Sequence, residues 1–179
     1  MESPTRTLSD WLIEYLEDFG VTHIFTVSGG GSIWLNDALA RAKRMKYVCC
    51  HHEQGAGYAA EGYARARNSL GVTMVTSGPG GTNAVSACAA SYLDGVPHLF
   101  ISGQAFIKHT IASHPGLRQL GVQEVDIVPI VRPITKFAAM VYNTVHAQIC
   151  IKDAVEMAMT PRMGSVWIDV PGDVQNARI

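Results

Sequence analysis

VCCHHEQGAGYAAEGYAR, residues 48–65, passes from an apolar run into a stretch of small residues and leaves one acid, Glu53, at the junction. Tyr47, Val48, Cys49 and Cys50 are bounded by polar residues, as expected of a short, fully buried strand. Gly55, Ala56, Gly57, Ala59, Ala60 and Gly62 follow, and a helix built from them has faces with almost no side-chain volume. Another backbone or a flat ligand can approach such faces closely. An acid where a buried strand ends lies in the crevice in which open α/β sheets bind ligands. The plainer explanation is that Glu53 complements the positive end of the helix it begins.

The same alternation extends in both directions. Leu8, Trp11, Leu12, Tyr15, Leu16 and Phe19 recur at helical spacing, with Thr7 or Ser9 as cap and Gly20 as stop. A β-rich run at 23–27 leads through Ser28-Gly29-Gly30-Gly31-Ser32 into a helix from Ile33 towards Arg44. Strand 47–50 leads to helix 53–67, and strand 72–76 leads through Gly78-Pro79-Gly80-Gly81 to helix 82–92. Strand 98–102 follows Pro97, residues 104–121 form a long loop, and strands at 134–141 and 165–170 flank a helix over 145–159. Strands alternating with helices of about a dozen residues imply βαβ units. The expected fold is a doubly wound α/β domain spanning residues 1–179, with a mostly parallel six-stranded sheet and helices on both faces.

Charged residues make up 16% of the chain and apolar residues 47%, against a usual charged share of about 25%. Part of the surface is therefore expected to be covered by a partner. A net charge of -1 and the lack of a basic run argue against nucleic acid or an anionic membrane as that partner. No run approaches the roughly 18 apolar residues of a membrane span. Cys49, Cys50, Cys88 and Cys150 lie in apolar contexts without CxxC spacing, so buried, reduced thiols in a cytoplasmic protein are expected. The N-terminus does not read as a secretory signal. His51, His52 and Glu53 are adjacent and lack the HExxH spacing of a zinc site; no metal ligand is assigned, and the two histidines are given no role.

Three strand-to-helix turns carry the chemistry-bearing residues: 28–32, 51–53 and 77–83. In a parallel sheet all three gather at one edge. Glycine there admits positive φ and close approach of backbone N–H groups, which suits a phosphate, but neither GxGxxG with its downstream acid nor GxxxxGK[ST] is present.

HEQGAGYAAEGYAR (52–65), TSGPGGTNAVSACAASYLDGVPHLFISGQ (76–104), VQEVDIV (122–128) and GSVWIDVPGDVQ (164–175) together resemble the N-terminal, pyrimidine-binding domain of thiamine diphosphate enzymes, in particular the acetolactate synthase group. The resemblance covers the chain from about residue 6 to its end. It implies that Glu53 hydrogen-bonds a ring nitrogen of the cofactor's aminopyrimidine and shares a proton there, so that the cofactor's C2 proton can be removed. It places Val27, Pro79 and Asn83 against the pyrimidine, and Gly30, Gly31 and Gln123 near the substrate. The bound group implied is thiamine diphosphate, with Mg2+ held by a domain absent from this chain. Whether FAD binds a missing middle domain is left open.

The resemblance also implies a 2-oxo acid substrate, a site completed by the diphosphate-binding domain of another subunit, and a homodimer or tetramer. The chain departs from the acetolactate synthase pattern at three positions: Ser28 replaces Pro, Val122 replaces Phe, and Gly172 replaces Lys. These positions shape the substrate pocket, and their replacement speaks against acetolactate synthesis itself. The GDG-then-Asn motif of the diphosphate-binding domain is missing, so the chain alone is expected to be inactive. Two alternatives remain: a natural small subunit of a split 2-oxo acid decarboxylase, or a non-catalytic interaction domain retaining the fold.

Overall fold

The computed structural model describes residues 6–114 and 116–179. Its elements, in chain order, are α1 (Leu8–Phe19), β1 (His23–Thr26), α2 (Ile33–Ala40), β2 (Lys46–Cys49), α3 (Glu53–Arg67), β3 (Gly71–Val75), α4 (Pro79–Asp94), β4 (His98–Gln104), α5 (Ile127–Val131), β5 (Phe137–Met140), α6 (Thr144–Met159), β6 (Ser165–Pro171) and α7 (Gly172–Gln175). The six strands form one sheet in the order β2-β1-β3-β4-β6-β5. Every pairing is parallel. The doubly wound fold read from the sequence is the fold observed.

Local chemistry sets the element ends. Thr7 caps α1 in a reciprocal capping box with Asp10, and Gly20 closes that helix with φ at 101°. One face of the sheet packs on α1, α2, α6 and α7, burying Leu12, Leu16, Ile24, Leu35, Ile151 and Ile168 among others. The opposite face packs on α3, α4 and α5 around Phe100, Ile127, Val131 and Trp167. The small residues of α3 have a packing role here: a Cβ on Gly57 would lie 2.4 Å from the Ala87 Cβ of α4, so the two helices cross at a distance only glycine permits. A Cβ on Gly55 or Gly62 would meet nothing within 4 Å, and both glycines face outwards.

Several expectations are corrected. The run at 47–50 is not a buried strand: β2 is the sheet's edge, and all four of its residues are exposed. Its apolar side chains, Tyr47 and Val48, lack a covering element among the described residues. For the same reason Cys49 is exposed and Cys50 half-buried, whereas Cys88 and Cys150 are buried as expected; all four are free thiols. The fifth strand is shorter than 134–141, because a short helix and a 3-10 turn through Pro133 occupy the chain up to Ile134. Helix α4 starts at Pro79, taking up much of the expected glycine turn; proline at a first helical position gives up an N–H that has no partner there.

A polar network crosses the middle of the sheet. Asp169 of β6 faces Ser102 of β4 in register and is 1% exposed. Ser102 Oγ donates to Asp169 Oδ1 at 2.6 Å, and Gln104 Nε2 donates to Oδ2 at 2.9 Å. Trp167 Nε1 donates in turn to Ser102 Oγ at 2.8 Å. Burial pushes the Asp169 carboxyl up to about 7, with Asp126 adding to the rise and the two hydrogen bonds opposing it.

An acid raised in the fold binds its proton more tightly than in the unfolded chain, so its neutral form favours folding, and that advantage fades as pH climbs from the unfolded value towards 7. Asp169→Asn is therefore expected to gain stability relative to the native chain as pH rises from about 4 to about 7.5, by at most about 4 kcal/mol. Urea unfolding midpoints across that range check this; parallel pH profiles for the two proteins would contradict it.

Candidate functional site

All strands run in one direction, so the turns after β1, β2 and β3 lie along one edge. Close backbone approaches lock them together. The Gly31 carbonyl would lie 2.1 Å from a Cβ on Gly103, at the end of β4. Gly31 N–H donates to Thr76 Oγ1 at 3.0 Å, which ties the first turn to the third. Gln175 Nε2 donates to the Gly31 and Val170 carbonyls, both at 2.7 Å, and holds the first turn against the end of β6.

Glu53 is the first residue of α3 and is 9% exposed. His52 caps the helix, its Nδ1 accepting from Gln54 N–H at 3.2 Å. Asn83, one turn into α4, donates through Nδ2 to Glu53 Oε2 at 3.0 Å. The carboxylate thus sits between the starts of two helices, whose free N–H groups and dipoles favour negative charge. Among the described residues no side chain donates to its other oxygen, Oε1. That oxygen faces Gly80, where a Cβ would lie 3.6 Å away and would also collide with Thr76 Cγ2 at 2.8 Å.

Of the remaining expected residues, three line a neighbouring cleft and two lie at element ends. Pro79 is exposed at the start of α4, and half-buried Val27 directly follows β1. Gly30, Gly31 and Gln123 line a cleft of about 370 Å³, together with Trp34, Phe106 and His109. Gln123 has a left-handed φ of 54°, and its carbonyl rests on Gly78, itself at φ 58°, where a Cβ would lie only 1.9 Å from that oxygen. The turn carrying Gln123 is therefore seated on the start of α4, which links the cleft to the Glu53 junction.

Sequence reading missed several contributors to this edge. Glu124, buried beside Gln123, accepts from the backbone N–H groups of Ile111, Leu120 and Gly121, the first two at 2.5 and 2.9 Å and the last at 3.0 Å. It folds the long loop after β4 onto the sheet. Its only sequence signal was an acid inside a mostly apolar run. Trp34, Phe106 and His109 carried no signal, because nothing in their spacing shows that they meet. No group of His, Cys, Asp and Glu among the described residues is arranged to hold a metal ion, and no helix among them is long and apolar enough to cross a membrane.

Residues 6–130 match the family described as "Thiamine pyrophosphate enzyme, N-terminal TPP binding domain". The chain is 40% identical to the acetolactate synthase of Arthrospira platensis, over 94% of this chain and 28% of that protein. It is 37% identical to the acetolactate synthase large subunit of Lactococcus lactis, over 100% of this chain and 30% of the relative. For acetolactate synthase 2, chloroplastic, of Nicotiana tabacum the values are 41%, 95% and 24%. The chain thus spans less than a third of the length of these relatives.

The Glu124 clamp is open to direct test. Hydrogen bonds to a charged acceptor are each worth about 1.5–3 kcal/mol, so Glu124→Ala is expected to speed tryptic cleavage after Lys108 or Arg118 by at least about tenfold, as the open loop becomes more populated. Cleavage at an unchanged rate in a folded variant would show that the loop is held by other means.

Proposed function

The chain belongs to the thiamine pyrophosphate enzymes as an N-terminal TPP-binding domain, and from that membership we propose that Glu53 is the residue through which it activates the cofactor. The observation that carries the reading is a buried carboxylate at the start of α3, with one oxygen held by Asn83 and no side-chain donor to the other among the described residues. A flat heterocycle with a nitrogen at its edge can share a proton with that second oxygen. A scaffold domain has no use for such an acid.

When bound, thiamine diphosphate supplies an electron sink for the pair released as a 2-oxo acid loses carbon dioxide. Glu53 Oε1 exchanges a proton with a pyrimidine nitrogen, and the Asn83 amide fixes the carboxylate's orientation through Oε2. Pro79 and Val27 present apolar surface to the ring. Gly30 and Gly31 admit the substrate close to the backbone, and Gln123 offers it an amide. In the net reaction carbon dioxide leaves the donor, the electron pair left behind bonds to the carbonyl carbon of an acceptor, and the acceptor oxygen takes up a proton. The class proposed is an acetolactate synthase-like 2-oxo acid decarboxylase or carboligase.

In this proposal the whole chain is the pyrimidine-binding half of the site. The diphosphate and Mg2+ are held by a diphosphate-binding domain of another subunit, in a homodimer or tetramer. Exposed Tyr47, Val48, Tyr58, Tyr92 and Leu93, on and around β2, α3 and α4, support a covered face on this side. The exposed thiol of Cys49 suits a reducing compartment such as the cytoplasm.

With the complementary domain present, Glu53→Gln is expected to slow hydrogen–deuterium exchange at the cofactor's C2 by about two to four orders of magnitude. NMR of the exchanging proton measures this step, and an unaltered rate would remove Glu53 from the chemistry. The isolated chain is expected to release no carbon dioxide from 2-oxo acids; turnover by the chain alone would contradict the half-site reading.

A further inference from the structure

The cleft beside Gly31 ends on a wall of rings that cofactor activation does not require. Trp34, from the first turn of α2, and Phe106, just after β4, lie with ring centroids 5.8 Å apart and planes tilted by 40°. His109 stacks on Phe106 at 6.2 Å with planes 10° apart. The wall is held by backbone contacts. Ile107 N–H donates to the Asp173 carboxylate at 3.2 Å, and His109 N–H donates to the Phe106 carbonyl at 2.7 Å.

The rings also rest on bare backbone. A Cβ on Gly172 would lie 2.7 Å from Phe106 Cε1 and 2.9 Å from Trp34 Cζ3, so any side chain at 172 would push them out of place. Phe106 remains 38% exposed on a concave surface. The cleft is also lined by neutral polar groups, Ser77, Gln104 and Gln123, and among the described residues neither lysine nor arginine lines it. The cleft thus combines exposed aromatic surface with hydrogen-bonding groups, at a volume of about 370 Å³. A methyl-bearing substrate would leave most of that ring surface in water, whereas an aryl group would cover it in offset or edge-to-face contact.

We infer that this cleft selects 2-oxo acids bearing a planar aromatic side chain, which packs on Phe106 and Trp34 while the oxo-acid end meets the glutamine side. The inference rests on the 2-oxo acid reading given above and specifies its substrate class. Aromatic contact gives selectivity of about two- to tenfold beyond that from burial alone, and the extra burial of the ring adds to it.

The test uses the protein assembled with its diphosphate-binding domain and compares benzoylformate, an aryl 2-oxo acid that cannot enolise, with pyruvate. Saturation-transfer NMR should give benzoylformate at least about tenfold tighter binding, and kcat/KM should favour it in the same sense. Phe106→Ala should bring the ratio of affinities close to one, and Phe106→Leu, which keeps apolar bulk, should give an intermediate value. Equal affinities in the native protein would overturn the inference, as would a preference that survives both Phe106→Ala and Trp34→Ala. Measuring C2 exchange in the same samples separates the two levels. Glu53-dependent exchange with no aryl preference discards the substrate class alone, whereas exchange indifferent to Glu53 discards the underlying reading.

Discussion

An all-parallel sheet can connect its strands only by crossovers, so every strand-to-helix turn falls on one edge. In this chain that constraint places the turns after β1, β2 and β3 side by side, close enough for the Gly31 carbonyl to press on Gly103 and for Gln123 to press on Gly78. Those contacts tolerate no side chain. Glycine at these positions is what lets the edge close this tightly.

Glu53 inherits its position from this arrangement. Burying a carboxylate is costly unless donors compensate it, and two helix starts with the Asn83 amide supply part of that compensation. The carboxylate's other oxygen accepts from no side chain among the described residues. The same sheet edge carries both the Glu53 carboxylate and the aromatic wall of the cleft. They are joined through the turn at Gln123.

Much of this was legible in the sequence because it depends on local pattern. Alternating apolar runs and small-residue helices pointed to the doubly wound fold, and an acid at a strand-to-helix junction pointed to Glu53. Position within the sheet was not legible. The run Tyr47 to Cys50 has the composition of a buried strand, but β2 came to lie at the sheet's edge, and composition does not distinguish burial by the same chain from burial by a partner. Ile127–Val131 escaped notice as a helix because Pro129 and its short length hid the period. Glu124, Asp169 and the Trp34–Phe106 pair depend on contacts between segments far apart in sequence, which spacing does not encode.

The role of Glu53 is tested most directly by 13C NMR of the chain labelled at glutamate carboxyls, with the Glu53 signal assigned by Glu53→Gln, while thiamine diphosphate and Mg2+ are added in the presence of the complementary domain. The Glu53 resonance should move on binding, and Asn83→Ala should alter its starting position. A Glu53 signal that stays fixed while the cofactor binds would contradict a proton-exchanging carboxylate at this junction.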